Sequence, residues 1–223
     1  MKSIQLLKLK SMRVIFVILL LFFVSVFIHE SGHAITGKLA GVGNPVVHVW
    51  PGVEVYPNLA TLPFAAHWPA NRVASVSFAR QKRTDVQFHP AADNQYSLPS
   101  PVFVSDSPTK NVIAPPVVGV MGSGLTYLLS VICLMSLWLF KPQGVFHTVL
   151  IAGSLLFYDL LFYAVFPTFF GLPHVVFFGG TVPEPVIYLA QMGVASWLSI
   201  SVIIALSALH IAILVKLKTN STT

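Results

Sequence analysis

Two histidines four residues apart, with a glutamate directly after the first, make His29-Glu30-Ser31-Gly32-His33-Ala34 the stretch of this chain best suited to chemistry. On a helix, a spacing of four sets the imidazoles about 40° apart on one face, so that both can offer a nitrogen to one metal ion. Zinc accepts such donors, and two histidines plus a carboxylate leave it one open position for water, the catalytic pattern and not the closed structural one. Glu30 stands where it can take a proton from metal-bound water as that water attacks a carbonyl, without itself being a ligand. The implied chemistry is zinc-dependent amide hydrolysis with Glu30 as general base. A blander reading is two helix-end histidines beside a solvated glutamate. The preceding segment, Val14 to Ile28, speaks against it: it is too apolar for a soluble helix, and ionisable groups at membrane depth usually serve a function.

A third ligand must come from elsewhere in the chain, so the elements that carry it matter. The sequence of 223 residues is 55% hydrophobic and only 9% charged, which excludes an ordinary soluble domain and marks an integral membrane protein. The formal charge of +6 could suggest nucleic acid, but the basic residues lie at segment ends and in one long loop, where membrane orientation accounts for them and no nucleic-acid partner is needed. The single cysteine, Cys133, falls inside an apolar run and reads as a packing residue, with no disulfide framework.

The expected fold is an all-α membrane protein of four transmembrane helices, with a small strand-rich extracytoplasmic insert after the first. Residues 1–41 form the N-terminus and the first span, ending at Gly41 and Gly43; a helix from Arg13 to Gly41 would be about 43 Å long. Its basic start and apolar run resemble a secretory signal, yet no small-x-small site follows and cleavage would remove or isolate the His29 motif, so the segment is expected to stay. Residues 42–111 are the insert, with strands expected over Val46 to Trp50 and Val73 to Phe78 and turns at Asn44-Pro45, Pro51-Gly52 and Ser107-Pro108. His48, His67 and His89 fall in it without metal-like spacing, as surface or packing residues. Residues 112–223 hold spans over 112–140, 145–170 and 186–215, the first of them rich in glycine and other small residues that permit close helix approach. Lys2, Lys8, Lys10, Arg13, Lys141, Lys216 and Lys218 would flank one side, placing both termini in the cytoplasm and the protein in the plasma (inner) membrane.

Depth then selects candidates. With the first and third spans running the same way, His29 and His33 lie about 24 and 30 Å above Arg13, and Asp159 about 26 Å above Pro142. A carboxylate within Leu155 to Phe162 is costly unless paired or coordinated, which makes Asp159 the leading third ligand. Glu184, in the Pro183-Glu184-Pro185 turn, is the rival; its plain role would be a helix-start carboxylate favoured by the helix dipole. His174 could face the same cavity as a substrate- or proton-handling group. His147 and His210 lie near span ends and read as interfacial and far from the motif.

Through His29-Glu30-Ser31-Gly32-His33-Ala34 at the end of the first span, the glycine-rich second span and Asp159 in a later one, the chain resembles the site-2 protease group of intramembrane zinc metalloproteases, the M50-type peptidases. The likeness is specific over about ten residues and architectural elsewhere, and Asp159 is followed by Leu160 where the family's usual pair is Asp-Gly. It implies a core of a few transmembrane helices, zinc held by the two histidines and an aspartate, and cleavage of a membrane-embedded helix of another protein. Strands in the Val46 to Tyr56 region could pair with an unwound substrate by strand addition. Two other classes are compatible with these residues: a catalytically silent relative that binds or chaperones membrane proteins, and a small channel whose His29, Glu30, His33 and Asp159 line an ion path. The small size and lack of repeated halves disfavour a transporter.

Overall fold

A computed structural model of the chain describes residues 2–58, 73–79, 95–97, 114–174 and 180–220. It is mostly helical, with four helical segments long and apolar enough to cross a membrane (Ile15–Leu39, Pro116–Phe140, Gly144–Phe170 and Ser196–Leu217) and one small sheet. These mark a membrane protein, and the wide apolar faces left exposed on the first span, such as Phe16, Phe23 and Phe27, suit contact with lipid.

The first helix, α1 (Lys2–Leu39), stops where Gly41 takes a positive φ of 73° that a side chain would resist. The chain then enters β1 (Asn44–Val49), turns back through β2 (Val53–Tyr56), and later adds β3 (Ala74–Ala79) and the short β4 (Gln95–Ser97). The sheet order is β2-β1-β3-β4, antiparallel throughout, with a bulge between Val47 and His48. Asn44 and Pro45 do not form a loop; they open β1 opposite Ala79 and Phe78, a strand start being where proline's missing N–H is tolerated. Pro51-Gly52 does turn the chain, Gly52 donating to the Val49 carbonyl at 2.7 Å. His48 pairs in register with Glu54 and Ser75. His67, His89 and Ser107-Pro108 lie outside the described residues.

Alternation along β1 and β3 turns Val47, Val76 and Phe78 inward, where they form one cluster with Ala34 of α1 and with Ala114 and Val118. Gly37 explains how the sheet comes so close: a Cβ there would collide with the Phe78 ring. The sheet is thus fastened to the end of α1 that carries the histidines.

The second span, α2 (Pro116–Phe140), packs against α1 through its small residues. A Cβ on Gly32 would meet the Met121 carbonyl, and one on Gly119 the Tyr188 ring. Cys133 is buried, and a Cβ at Gly153 would strike its sulfur.

Two expected spans are interrupted. The third is α3 (Gly144–Ser154), a 3₁₀ turn over Leu155–Phe157, α4 (Tyr158–Val165) and a π turn over Phe166–Phe170. Ser154 Oγ donates to the Ile151 carbonyl at 2.7 Å just before the tightened turn, and Pro167, lacking an N–H, sits in the widened one. The segment expected as one helix over 186–215 is two: α5 (Glu184–Gln191) and α6 (Ser196–Asn220). Gly193, at φ 90°, breaks the run in a conformation that favours glycine. Only α6 is long enough to cross a membrane, which leaves α5 as a short piece delivering Glu184.

Candidate metal centre

One turn of α1 carries both histidines, and different neighbours fix each ring. His29 Nδ1 donates to Asp159 Oδ2 of α4 at 2.9 Å, and His33 Nδ1 donates to the Val118 carbonyl of α2 at 2.7 Å. A carboxylate and a carbonyl can only accept, so each Nδ1 carries a proton and Nε2 is the nitrogen left to face an ion, with a lone pair when the ring is neutral. The two Nε2 atoms face each other 3.1 Å apart, the ring planes 73° from parallel.

Glu184 completes the cluster. Its Oε2 is buried, lies 3.5 Å from His29 Nε2 and 3.7 Å from His33 Nε2, and has no hydrogen-bond partner among the described residues. The four residues thus divide into roles by geometry. His29, His33 and Glu184 offer three donor atoms all within 4.8 Å of one another, whereas Asp159 sits behind His29 on its opposite nitrogen. Thr126 Oγ1, 2.8 Å from both Asp159 Oδ2 and the Ser123 carbonyl, steadies that carboxylate from α2.

Three electron-pair donors converging in a buried space repel one another unless a proton or a metal cation lies between them. The donor set of two neutral imidazoles and a carboxylate fits zinc, and the carboxylate–histidine pairing behind it is the usual support of a ligating histidine. Room for an ion comes from Gly122 of α2: a Cβ there would run into the Nε2 atoms of both histidines. A buried His29-His33-Glu184 cluster that could hold a metal ion is therefore present.

Electrostatics agree with the geometry at the one cluster member outside the spans. Burial by itself would raise the Glu184 carboxyl, but the imidazoles of His29 and His33, when they carry a proton on Nε2, outweigh it and hold the group down at about 2.

Glu30 is half-buried, one residue round the helix from His29, and lies within electrostatic range of His33, His29, Glu184 and Asp159. His174 is buried too. Its ring stacks on Tyr163 at 3.6 Å between centroids, and Tyr163 in turn stacks on His29 at 4.6 Å, so the loop histidine reaches the centre through an aromatic spacer and not directly. Burial holds its imidazole below the ordinary histidine value, against the opposing pull of the Gly180 carbonyl and of Glu184 and Asp159. His147 is half-buried in α3. His210 is not interfacial: it is only 2% exposed, stacked on Phe157 at 4.8 Å.

Spacing alone identifies His29, Glu30 and His33, and depth counting brings Asp159 to the level of His29. Gly122 is legible as one of the small residues of the second span, though not as the one that faces the imidazoles. Tyr163 and Thr126 escape a reading of the sequence, because an unremarkable tyrosine and threonine in apolar runs carry no signal until helix pairing places them against the centre. No protein-family model, curated protein or solved structure matches the chain.

Proposed function

We propose that this chain is an intramembrane zinc endopeptidase of the site-2 protease type, hydrolysing a peptide bond of a membrane-protein substrate. The observation that carries the reading is the pair of Nδ1-tethered imidazoles aiming Nε2 at each other beside the unpartnered Glu184 Oε2. In this reading His29, His33 and Glu184 hold the zinc ion, and Asp159 orients His29 and raises its basicity. Bound there, zinc would supply Lewis acidity, bringing the pKa of a water towards neutrality and polarising a carbonyl.

The chain's own groups do the rest. Glu30, near the donors but outside the ligand set, accepts the proton of the attacking water and returns it to the leaving amine. The apolar bundle limits bulk water around the reacting groups, which strengthens each electrostatic contact there. The sheet fastened to the end of α1 has β2 at its edge among the described residues, where an unwound substrate segment could add as a strand. Helix unwinding must precede cleavage, because an intact helix shields its peptide carbonyls in hydrogen bonds.

The basic flanks at Lys141 and Lys216, with those of the N-terminal residues, support a topology with both termini in the cytoplasm and the sheet outside, in the plasma or inner membrane. The test is Glu30→Gln in detergent-purified, zinc-supplied protein. Zinc content should be unchanged while cleavage of a co-reconstituted membrane substrate falls by about a hundredfold to ten-thousandfold. Retained cleavage in that variant would sink the mechanism, and a wild type that holds zinc yet cuts no membrane protein would favour a silent binding relative.

A further inference from the structure

Glu184 opens a short helix whose Val186 packs with Leu160, Ala164, Ile200 and Ile203 and whose Tyr188 closes on Gly119, so the bundle holds the body of α5. The residues before Glu184 add a second hold, at the end of α5 that carries the carboxylate. His174 closes the loop that leads to α5 by donating twice to one acceptor: its Nδ1–H reaches the Gly180 carbonyl at 2.9 Å and its backbone N–H the same oxygen at 3.2 Å. Gly180 is four residues before Glu184. The other end of the link is the ring stack, in which His174 lies 3.6 Å from Tyr163 at 18° and Tyr163 lies 4.6 Å from His29 at 19°. A continuous chain of contacts therefore runs from the first histidine of the centre, through Tyr163 and His174, to the segment that presents the carboxylate.

We propose that His174 is a positioning residue for the metal centre, fixing Glu184 against His29 and His33 by fastening the Gly180 carbonyl to the Tyr163–His29 stack. The inference rests on the reading of His29, His33 and Glu184 as a metal site. It assigns His174 no contact with substrate or ion. A buried imidazole suits this role because it offers a flat face to the phenol ring and a directional N–H to the carbonyl, two functions that a phenylalanine or an alanine cannot supply together. Groups that orient a ligand without touching the ion change metal affinity by about tenfold to a hundredfold.

The test is zinc affinity of the full-length chain in detergent, measured by competition with a chelator, for wild type, His174→Ala, His174→Asn, Glu184→Gln and the double variant His174→Ala/Glu184→Gln, with helix content followed by circular dichroism. Asparagine places its amide N–H near the position of Nδ1–H, so it restores the bond to Gly180 without the stack and remains informative if the alanine variant misfolds. His174→Ala should bind zinc about tenfold or more weakly than wild type, His174→Asn should recover much of that loss, and His174→Ala should cost nothing further once Glu184 is glutamine. Wild-type affinity in folded His174→Ala or, where that variant misfolds, an asparagine variant that folds and binds no better than Glu184→Gln, would overturn the proposal. So would an equal loss on adding His174→Ala to Glu184→Gln, which would mean that the residue acts elsewhere. Zinc absent from folded wild type would bring down the metal reading itself, and this proposal with it.

Discussion

Two sets of buried imidazoles occupy the same bundle and differ in what faces their nitrogens. His29 and His33, 3% and 7% exposed, each spend Nδ1 on an acceptor and turn Nε2 towards each other and towards Glu184. His210, at 2% exposure, is at least as deep: its ring bonds the Ser154 backbone, stacks on Phe157 and lies near Tyr127, and its Nε2 meets no partner among the described residues. Surface exposure is alike in the two sets. What separates them is convergence, because three donors share one point in the first set while His210 has the Ser154 backbone, aromatic rings and the unpartnered Ser207 hydroxyl one turn before it. A buried histidine is no sign of a site until a second donor looks at the same place.

That contrast can be broken in a definite order. His33→Ala removes a donor and should empty the first set: zinc near one per chain should fall to background by elemental analysis, and proteolysis with it. Glu184→Ala should do nearly as much, since the loss of one of three ligands leaves the imidazole pair without its anion. Gly122→Ala alters no polar group yet should also strip zinc, because its methyl would enter the space between the two Nε2 atoms; normal zinc content in folded Gly122→Ala would mean that the ion sits elsewhere. Asp159→Asn comes lower, with zinc retained and affinity down by about tenfold to a hundredfold, the behaviour of an orienting group; a complete loss would make Asp159 a ligand after all. His210→Leu should leave zinc content and cleavage unchanged and shift stability by about 1 kcal/mol at most, since it trades an unsatisfied buried nitrogen for apolar contact. A loss of zinc there would erase the distinction between the two sets.

The reach of the sequence follows the same line. Four apolar runs are legible because about 20 apolar residues have few alternatives to spanning, and the first strands because their residues alternate. His29 and His33 are legible because a spacing of four means one helix face whatever the surroundings. The depth of Asp159 can be counted from Pro142, and its carboxylate does meet an imidazole of α1. Whether it meets the metal side or the far side of that ring depends on helix rotation, which counting along an axis does not give. The break at Gly193 is hidden by the apolar residues on both sides, so a helix-start carboxylate and a spanning helix read as one element. The burial of His210 is invisible because position along a span says nothing of which face Phe157 covers.

The tethering of the two rings has a consequence for the life of the chain. Asp159 and the Val118 carbonyl keep the imidazoles opposed whether or not an ion is there, so the fold holds its donors ready placed. Under the zinc reading proposed above, occupancy enters the folding balance: at a free zinc level a hundred times the dissociation constant, the native state gains about 2.7 kcal/mol over a chain that has none. On that reading a cell short of the ion would hold fewer intact copies, and the abundance of this protein would follow the supply of metal around it.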